Sequence, residues 1–253
     1  MLVVRDEAHP LHHVLHGDGV GVVEHGAHQV EEREVQSARF REVAAIELEH
    51  AEVVVEPGEQ RLHRDERAEV GDRIAVTAKL NMSDGVRAGI PIEESLQTAK
   101  WLEDDGGLDA LELTAGSSLV NPMYLFRGGA PVKEFAANFK PPISWGVRMS
   151  GNKFFREYPY REAYLMRDAE KFRAELKLPI ILLGGITNRE TMDKAMAAGF
   201  DFVAMGRALL AEPDLLNRIQ ADSGVQSICD HCNLCMPTIY SHTHCVVTGA
   251  PDR

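Results

Sequence analysis

Short apolar runs alternate with stretches of helical periodicity along the chain from residue 73 onward. The apolar runs have the length of buried strands, and they predict strands at 74–80, 108–113, 179–183 and 202–205. Helical spacing of apolar residues predicts helices within 92–107, 160–177, 187–199 and 207–220. Because the strands are too apolar to have a solvated face, the pattern predicts an α/β fold, a parallel sheet covered by helices. The stretch between the second strand and the second helix, with its prolines at 141 and 142, is predicted to be a long loop and an irregular region.

Residues 1–72 differ in composition from the rest of the chain. They contain no Lys or Cys, hold eight of the eleven histidines, and carry 17 Asp and Glu against 7 Arg. No period of 3.6 or 2.0 residues is sustained, so this segment is predicted to be weakly ordered. Its histidines have no fixed spacing and are interpreted as solvated. A further hypothesis is that the segment results from a shifted or wrongly joined reading frame.

The net charge of -12 comes mostly from residues 1–72, which contribute -10. The acidity therefore says little about the partners of the main domain, and it argues against binding nucleic acid. The first residues, MLVVRDEAHP, lack the basic and apolar regions of a signal peptide, and no apolar run approaches the roughly 18 residues of a membrane span. We expect a cytoplasmic protein that does not bind membranes and acts on a small molecule.

All four cysteines lie between residues 229 and 245, within a predicted cysteine-rich segment at 221–253. Two residues separate Cys229 from Cys232 and Cys232 from Cys235, and nine residues separate Cys235 from Cys245. In a reducing compartment this spacing favours metal ligands or redox thiols over structural disulfides. Reduced, partly buried thiols without a metal are the alternative.

The predicted strands end on residues suited to an anionic ligand. Function gathers at the carboxyl ends of parallel strands, and the first strand brings Lys79 there. The third and fourth strands end in turns that carry glycines and one arginine, namely Gly184, Gly185, Gly206 and Arg207. Backbone N–H groups at such turns can approach a phosphate, and the guanidinium adds charge-assisted hydrogen bonds. The turns therefore predict a phosphate site.

Several stretches together resemble the carboxyl-terminal half of the old yellow enzyme and NADH:flavin oxidoreductase family, which are FMN-dependent TIM barrels. They are VTAKLNMSDG, WLEDDGGLDALELTAGSS, LLGGIT, FVAMGRALLAEPDL and CDHCNLCMPTIYSHTHC. The resemblance implies hydride transfer from NAD(P)H through FMN to an electron-poor acceptor such as an alkene. It also implies that Lys79 faces the N1 and O2 edge of the flavin, where a cation stabilises the reduced ring. The predicted phosphate site would then hold the FMN phosphate.

The same resemblance implies a [4Fe-4S] cluster on the four cysteines, as in the trimethylamine dehydrogenase and dienoyl-CoA reductase branch. The final gap between cysteines is shorter here than in that branch, so zinc held by four thiolates stays open.

The pattern supplies about four βα units, half of the eight in a TIM barrel. Residues 73–220 are therefore predicted to form half of an FMN-binding barrel in a truncated chain that is inactive or impaired. No catalytic acid is assigned, because the substrate-binding motifs of the family are not found. Open strand edges predict association into a homo-oligomer or pairing with a missing half barrel. The alternatives are a non-catalytic fragment that binds zinc or a partner, and another phosphate-binding TIM-barrel enzyme.

Overall fold

The computed structural model describes residues 2–4, 67–68, 70–118 and 120–249. Its centre is a sheet of five strands: β1 (Leu2–Val4), β2 (Thr77–Asn81), β3 (Ala110–Thr114), β4 (Ile180–Leu183) and β5 (Phe202–Met205). The spatial order is β1-β5-β4-β3-β2, in which β2 to β5 run parallel and β1 pairs antiparallel with β5. The predicted α/β architecture and its four parallel strands are thus present.

Seven α-helices lie between residues 92 and 221. They are α1 (Ile92–Asp105), α2 (Val132–Ala136), α3 (Ile143–Phe154), α4 (Met166–Glu175), α5 (Arg189–Ala197), α6 (Arg207–Ala211) and α7 (Leu215–Ala221). Local signals set several ends. Gly106 ends α1 in the left-handed conformation at φ 69°, which glycine adopts without steric cost. Asn188 caps α5, since its side chain accepts a hydrogen bond from the Thr191 N–H at 2.9 Å.

The two faces of the parallel sheet differ in what covers them. Leu111, Leu113, Ile180, Leu182 and Val203 belong to one large buried core that also contains Ala99 of α1, Phe172 of α4 and Ala195 of α5. Side chains alternate along a strand, so the residues between them point to the opposite face. There Ala110, Ile181, Phe202 and Ala204 form a second, smaller apolar cluster. The second face also carries the polar residues of β2 and β3 described below.

The prediction was wrong for residues 117–159, which do not form only loops. The helices α2 and α3 lie there as a packed pair, and the aromatic rings of Phe135, Phe139, Phe155 and Tyr240 contact one another around them. The helical periodicity of α3 was not recognisable in the sequence, because this helix exposes Trp145 and Met149 to solvent and so lacks a clear apolar stripe. The predicted last helix is two helices, α6 and α7, because Pro213 lies between them and removes a backbone donor.

The sheet of the described residues is open, with β2 at one edge, and it does not close into a barrel. The expectation of weak order for residues 1–72 falls largely outside the described residues, and the histidines at 9 to 63 lie there too. Of that segment, Leu2–Val4 form the antiparallel strand. No helix in the described ranges is long and apolar enough to cross a membrane.

Candidate functional site

Lys79 lies on the face of the sheet opposite the main helical core. The register pairs it with Glu112 of β3, and the Lys79 Nζ lies 3.1 Å from the Glu112 Oε1. The lysine side chain is 50% exposed, whereas that of Glu112 is only 3% exposed. Burial raises the pKa of Glu112, and the nearby ammonium of Lys79 opposes that shift. The predicted cation is therefore paired with a buried carboxylate that the sequence interpretation missed, although a glutamate inside the apolar run ALELT was the available signal.

The glycine turn after β4 owes its shape to close packing. Gly184 and Gly185 have φ angles of 110° and 79°, which side chains rarely adopt. A Cβ on Gly184 would lie 2.7 Å from the Leu165 Cγ, and one on Gly185 would lie 2.8 Å from the Arg161 carbonyl oxygen. Glycine is thus required here by neighbouring protein atoms, whether or not a phosphate also binds.

The turn after β5 is open. A Cβ on Gly206 would meet no atom within 4 Å, so there is space beside this turn. Arg207 begins α6, and its guanidinium donates a hydrogen bond of 2.9 Å to the Arg127 carbonyl and a second one to the Asn233 side chain. Arg207 is thus held by a neighbouring loop and by the cysteine segment, which the sequence did not predict.

Tyr164 connects the two turns. Its ring lies against Gly184 and Gly185, and its hydroxyl donates to the Leu125 carbonyl. Burial raises the pKa of Tyr164, while the positive charges of Arg207 and Arg127 act in the opposite direction. The structure therefore brings the predicted phosphate-site residues to one edge of the sheet, around an aromatic side chain that was not predicted.

The Glu162 side chain stabilises the turn after β4 through hydrogen bonds. Its carboxylate accepts hydrogen bonds from the hydroxyls of Tyr160, Thr187 and Thr191. The Tyr160 hydroxyl also lies 3.3 Å from the carbonyl oxygen of Gly185. The ring of Tyr160 stacks on that of His231 at 3.4 Å between centroids. This network joins the strand end to the cysteine segment.

All four cysteines line one cavity. The cavity is small and part of it is open to solvent, and Arg207 and Asn233 contribute to its wall. The cysteines are free thiols. Within the described ranges, however, no three His, Cys, Asp or Glu side chains are close enough to hold a metal ion as they stand. The predicted ligands thus share a cavity without converging on one point.

The pKa values of the four thiols are shifted in different directions. Burial raises the pKa of Cys229, Cys232 and Cys235. For Cys245 burial acts in the same direction, but hydrogen bonds from the Thr248 hydroxyl and from nearby backbone N–H groups outweigh it and lower the pKa. Arg207 favours the thiolates of Cys229 and Cys235 electrostatically.

Asn233 holds the cysteine segment against the loop at 126–129. It is 1% exposed, and its Nδ2 donates to the carbonyls of Phe126 at 2.6 Å and Gly129 at 2.8 Å, while its Oδ1 accepts from Arg207. Asn233 has a φ of 61°, a conformation that asparagine tolerates better than most residues. Its position between two cysteines was the only sequence signal.

Glu212 anchors the start of the same segment. Its carboxylate accepts hydrogen bonds from the Ser227 hydroxyl at 2.7 Å and the Ile228 N–H at 2.6 Å, and it pairs with Arg218. Burial alone would raise the pKa of Glu212, but these three partners outweigh it and lower the pKa. The cavity wall is therefore fixed just before Cys229 by Glu212 and between Cys232 and Cys235 by Asn233.

Comparison with known proteins finds a curated relative and a similar solved structure. No protein-family model matches the chain. The chain is 50% identical over 184 residues to 4,4'-dithiodibutanoate disulfide reductase of Rhodococcus erythropolis, a match that covers 73% of this chain and 46% of that protein. The chain thus spans about half the length of this relative. The solved complex of 2-naphthoyl-CoA reductase with 2-naphthoyl-CoA is similar over 74% of this chain and 25% of that chain, with a TM-score of 0.54 and 21% identity. At that identity the likeness shows the fold alone, and it supports the α/β assignment.

Proposed function

We propose that the protein is an FMN-dependent oxidoreductase of the old yellow enzyme and NADH:flavin oxidoreductase family, with NAD(P)H as the reductant. The observation that carries the proposal is the 50% identity over 184 residues to a disulfide reductase. The half-barrel interpretation of residues 73–220 belongs to the same proposal. Because the described sheet has four parallel strands, we expect FMN to bind more weakly than to an eight-stranded barrel.

The residues at the strand ends suit a flavin nucleotide. The open space beside Gly206, together with Arg207, suits the phosphate, and the packed turn of Gly184 and Gly185 holds the neighbouring backbone in place. Lys79 would supply positive charge at the N1 and O2 edge of the ring. Bound FMN would supply the hydride-transfer chemistry, which no amino-acid side chain provides.

We propose an organic disulfide as the acceptor, by analogy with the name of the relative. The net reaction is RSSR + NAD(P)H + H⁺ → 2 RSH + NAD(P)⁺, in which the disulfide gains two electrons and the nicotinamide loses a hydride. An electron-poor alkene is the second candidate acceptor, as the family resemblance implies. An assay of NADH and NADPH oxidation with 4,4'-dithiodibutanoate, with the thiol product quantified, distinguishes the two acceptors. Thiol formation supports the disulfide, and an enzyme that reduces only alkenes would form no thiol.

The four cysteines suit a metal centre by donor type and by their shared cavity, although they do not converge in the structure. Cys229, Cys232, Cys235 and Cys245 would hold a [4Fe-4S] cluster, which would supply one-electron transfer, or a zinc ion, which would be structural. Elemental analysis of the purified protein decides between them. Iron with acid-labile sulfide supports the electron-transfer branch, and zinc without flavin supports the non-catalytic fragment.

Flavin titration of the wild-type chain tests the proposal directly. We expect saturable binding of FMN and a flavin absorbance spectrum, whereas no FMN binding would refute the assignment and favour another phosphate-binding enzyme. In Lys79→Met, loss of the cation should slow flavin reduction by NAD(P)H by roughly tenfold or more. Lys100→Met is the matched control, because Lys100 is paired with the exposed Glu175 on the helical side and should not alter the rate.

A further inference from the structure

Two arginine side chains near Tyr164 have no carboxylate partner among the residues that the structure describes. The guanidinium of Arg207 donates to neutral groups, the Arg127 carbonyl and the Asn233 side chain. The side chain of Arg127 makes one long hydrogen bond, of 3.4 Å from its Nε to the Tyr124 carbonyl. Both positive charges act on the Tyr164 hydroxyl, so they lie close to each other. An anionic ligand would relieve the repulsion between them.

Two tyrosine rings fix the position of the Arg127 guanidinium. Its Cζ lies 5.2 Å from the ring centre of Tyr124 and 4.9 Å from that of Tyr164, which are cation–π distances. Tyr124 packs against the loop after β2, since a Cβ on Gly85 would lie 2.6 Å from the Tyr124 Cδ2. Tyr164 packs against the glycine turn after β4. The guanidinium therefore lies near the carboxyl ends of the parallel strands, where α/β proteins bind ligands.

The loop that carries Arg127 is attached on both sides of this residue. Asn233 donates to the carbonyls of Phe126 and Gly129, and Arg207 donates to the Arg127 carbonyl at 2.9 Å. Binding to such a pre-ordered side chain costs little conformational entropy. Arg127 is nevertheless partly exposed, so a ligand can reach it from solvent. Its two Nη groups have no hydrogen bond to the described residues, and they form the edge of a guanidinium that binds a carboxylate through two parallel hydrogen bonds.

We propose that Arg127 binds a carboxylate group of the acceptor and so selects disulfides that carry a negative charge. This inference rests on the proposed disulfide reduction, in which the acceptor, 4,4'-dithiodibutanoate, has a carboxylate at each end. The open space beside Gly206 leaves Arg207 to the flavin phosphate, so the two arginines bind different anions. The flavin phosphate is the competing source of negative charge at Arg127, and the test separates it from the carboxylate.

The test compares 4,4'-dithiodibutanoate with its dimethyl ester, which keeps the disulfide but has no charge. Calorimetric titration of the full 253-residue chain without NAD(P)H measures binding in the absence of turnover. We expect the wild type to bind the diacid about tenfold more tightly than the diester, as charge-assisted hydrogen bonds predict. Arg127→Met should lose most of this preference. Arg127→Lys should keep part of it, because lysine retains the charge without the two parallel hydrogen bonds.

Arg148→Met is the matched control. Arg148 is an exposed residue of α3, so its replacement removes the same charge without altering the contacts of Tyr124 and Tyr164. This variant should keep the wild-type preference for the diacid. Arg127→Met should also bind FMN with wild-type affinity, because the flavin phosphate is assigned to Arg207. If Arg127→Met does not fold, as judged by circular dichroism, Arg127→Lys replaces it, and a reduced preference is the expected result.

Failure of the inference is distinguishable from failure of the proposed function. The inference is overturned if the wild type does not bind the diacid more tightly than the diester, or if a folded Arg127 variant keeps the full preference. It is also overturned if the variant loses affinity for FMN and not for the diacid, since Arg127 would then contact the flavin phosphate. If the wild type prefers the diacid but forms no thiol from it with FMN and NAD(P)H, disulfide reduction is refuted and the carboxylate contact remains.

Discussion

Replacing Asn233 by alanine should test how the cysteine cavity is held together. The side chain is buried and makes two hydrogen bonds to carbonyls, of Phe126 and Gly129, and a third with the guanidinium of Arg207. The two neutral bonds contribute about 1 kcal/mol each and the charge-assisted one about 1.5–3 kcal/mol. The variant should therefore lose roughly 3–5 kcal/mol of unfolding free energy.

Urea denaturation followed by circular dichroism measures this loss. Asn152→Ala is the control, because Asn152 is exposed on α3 and its replacement should change the unfolding free energy by less than about 0.5 kcal/mol. A second measurement is the rate at which Ellman's reagent labels the thiols in native protein. Labelling of the half-buried Cys235 should accelerate in Asn233→Ala, because the segment between Cys232 and Cys235 loses its attachment to the loop.

A loss below about 1 kcal/mol together with unchanged thiol labelling would refute this reasoning. It would mean that the contacts of the cysteine segment, including the stacking of His231 on Tyr160, hold the cavity without Asn233.

Two further substitutions test the same segment. Gly128→Ala should destabilise the protein by more than about 2 kcal/mol, because the φ of 128° is unfavourable for alanine and the new Cβ would lie 2.0 Å from the His231 carbonyl oxygen. Thermal unfolding measures this effect, with Gly146→Ala as the control, because a Cβ at Gly146 would meet no atom within 4 Å. Equal melting temperatures for the two variants would contradict the prediction. Glu212 has a lowered pKa, so it stabilises the fold above the unfolded-state pKa of about 4.3, and this contribution is lost as the pH falls through the folded-state value. The unfolding free energy of the wild type should therefore fall more steeply below about pH 4.3 than that of Glu212→Gln, and parallel pH profiles would exclude Glu212 as the cause.

Local patterns accounted for the parallel strands. The runs that end at Asn81, Thr114, Leu183 and Met205 are apolar and short, and such runs become buried strands wherever helices can cover them. The glycine turns after β4 and β5 were also predictable from local sequence. A turn from a strand toward a helix often needs backbone angles that glycine adopts more easily than other residues. Helices α2 and α3 were not predictable, because Phe135 of α2 packs against the distant Tyr240 and α3 exposes Trp145 and Met149.

The sequence by itself determined the α/β class, the position of Arg207 just after a strand, and the grouping of four cysteines, because each depends on neighbouring residues. The prediction that Lys79 ends its strand was wrong, because β2 runs from Thr77 to Asn81 and Lys79 is its central residue. Only the tertiary structure decided which side chains meet. It joined Lys79 to Glu112 across two strands, and it tied Arg207 to Asn233, which is 26 residues away in the chain. Pairing of strands and docking of loops set those contacts, and neither the register of a sheet nor the path of a loop is encoded in local periodicity.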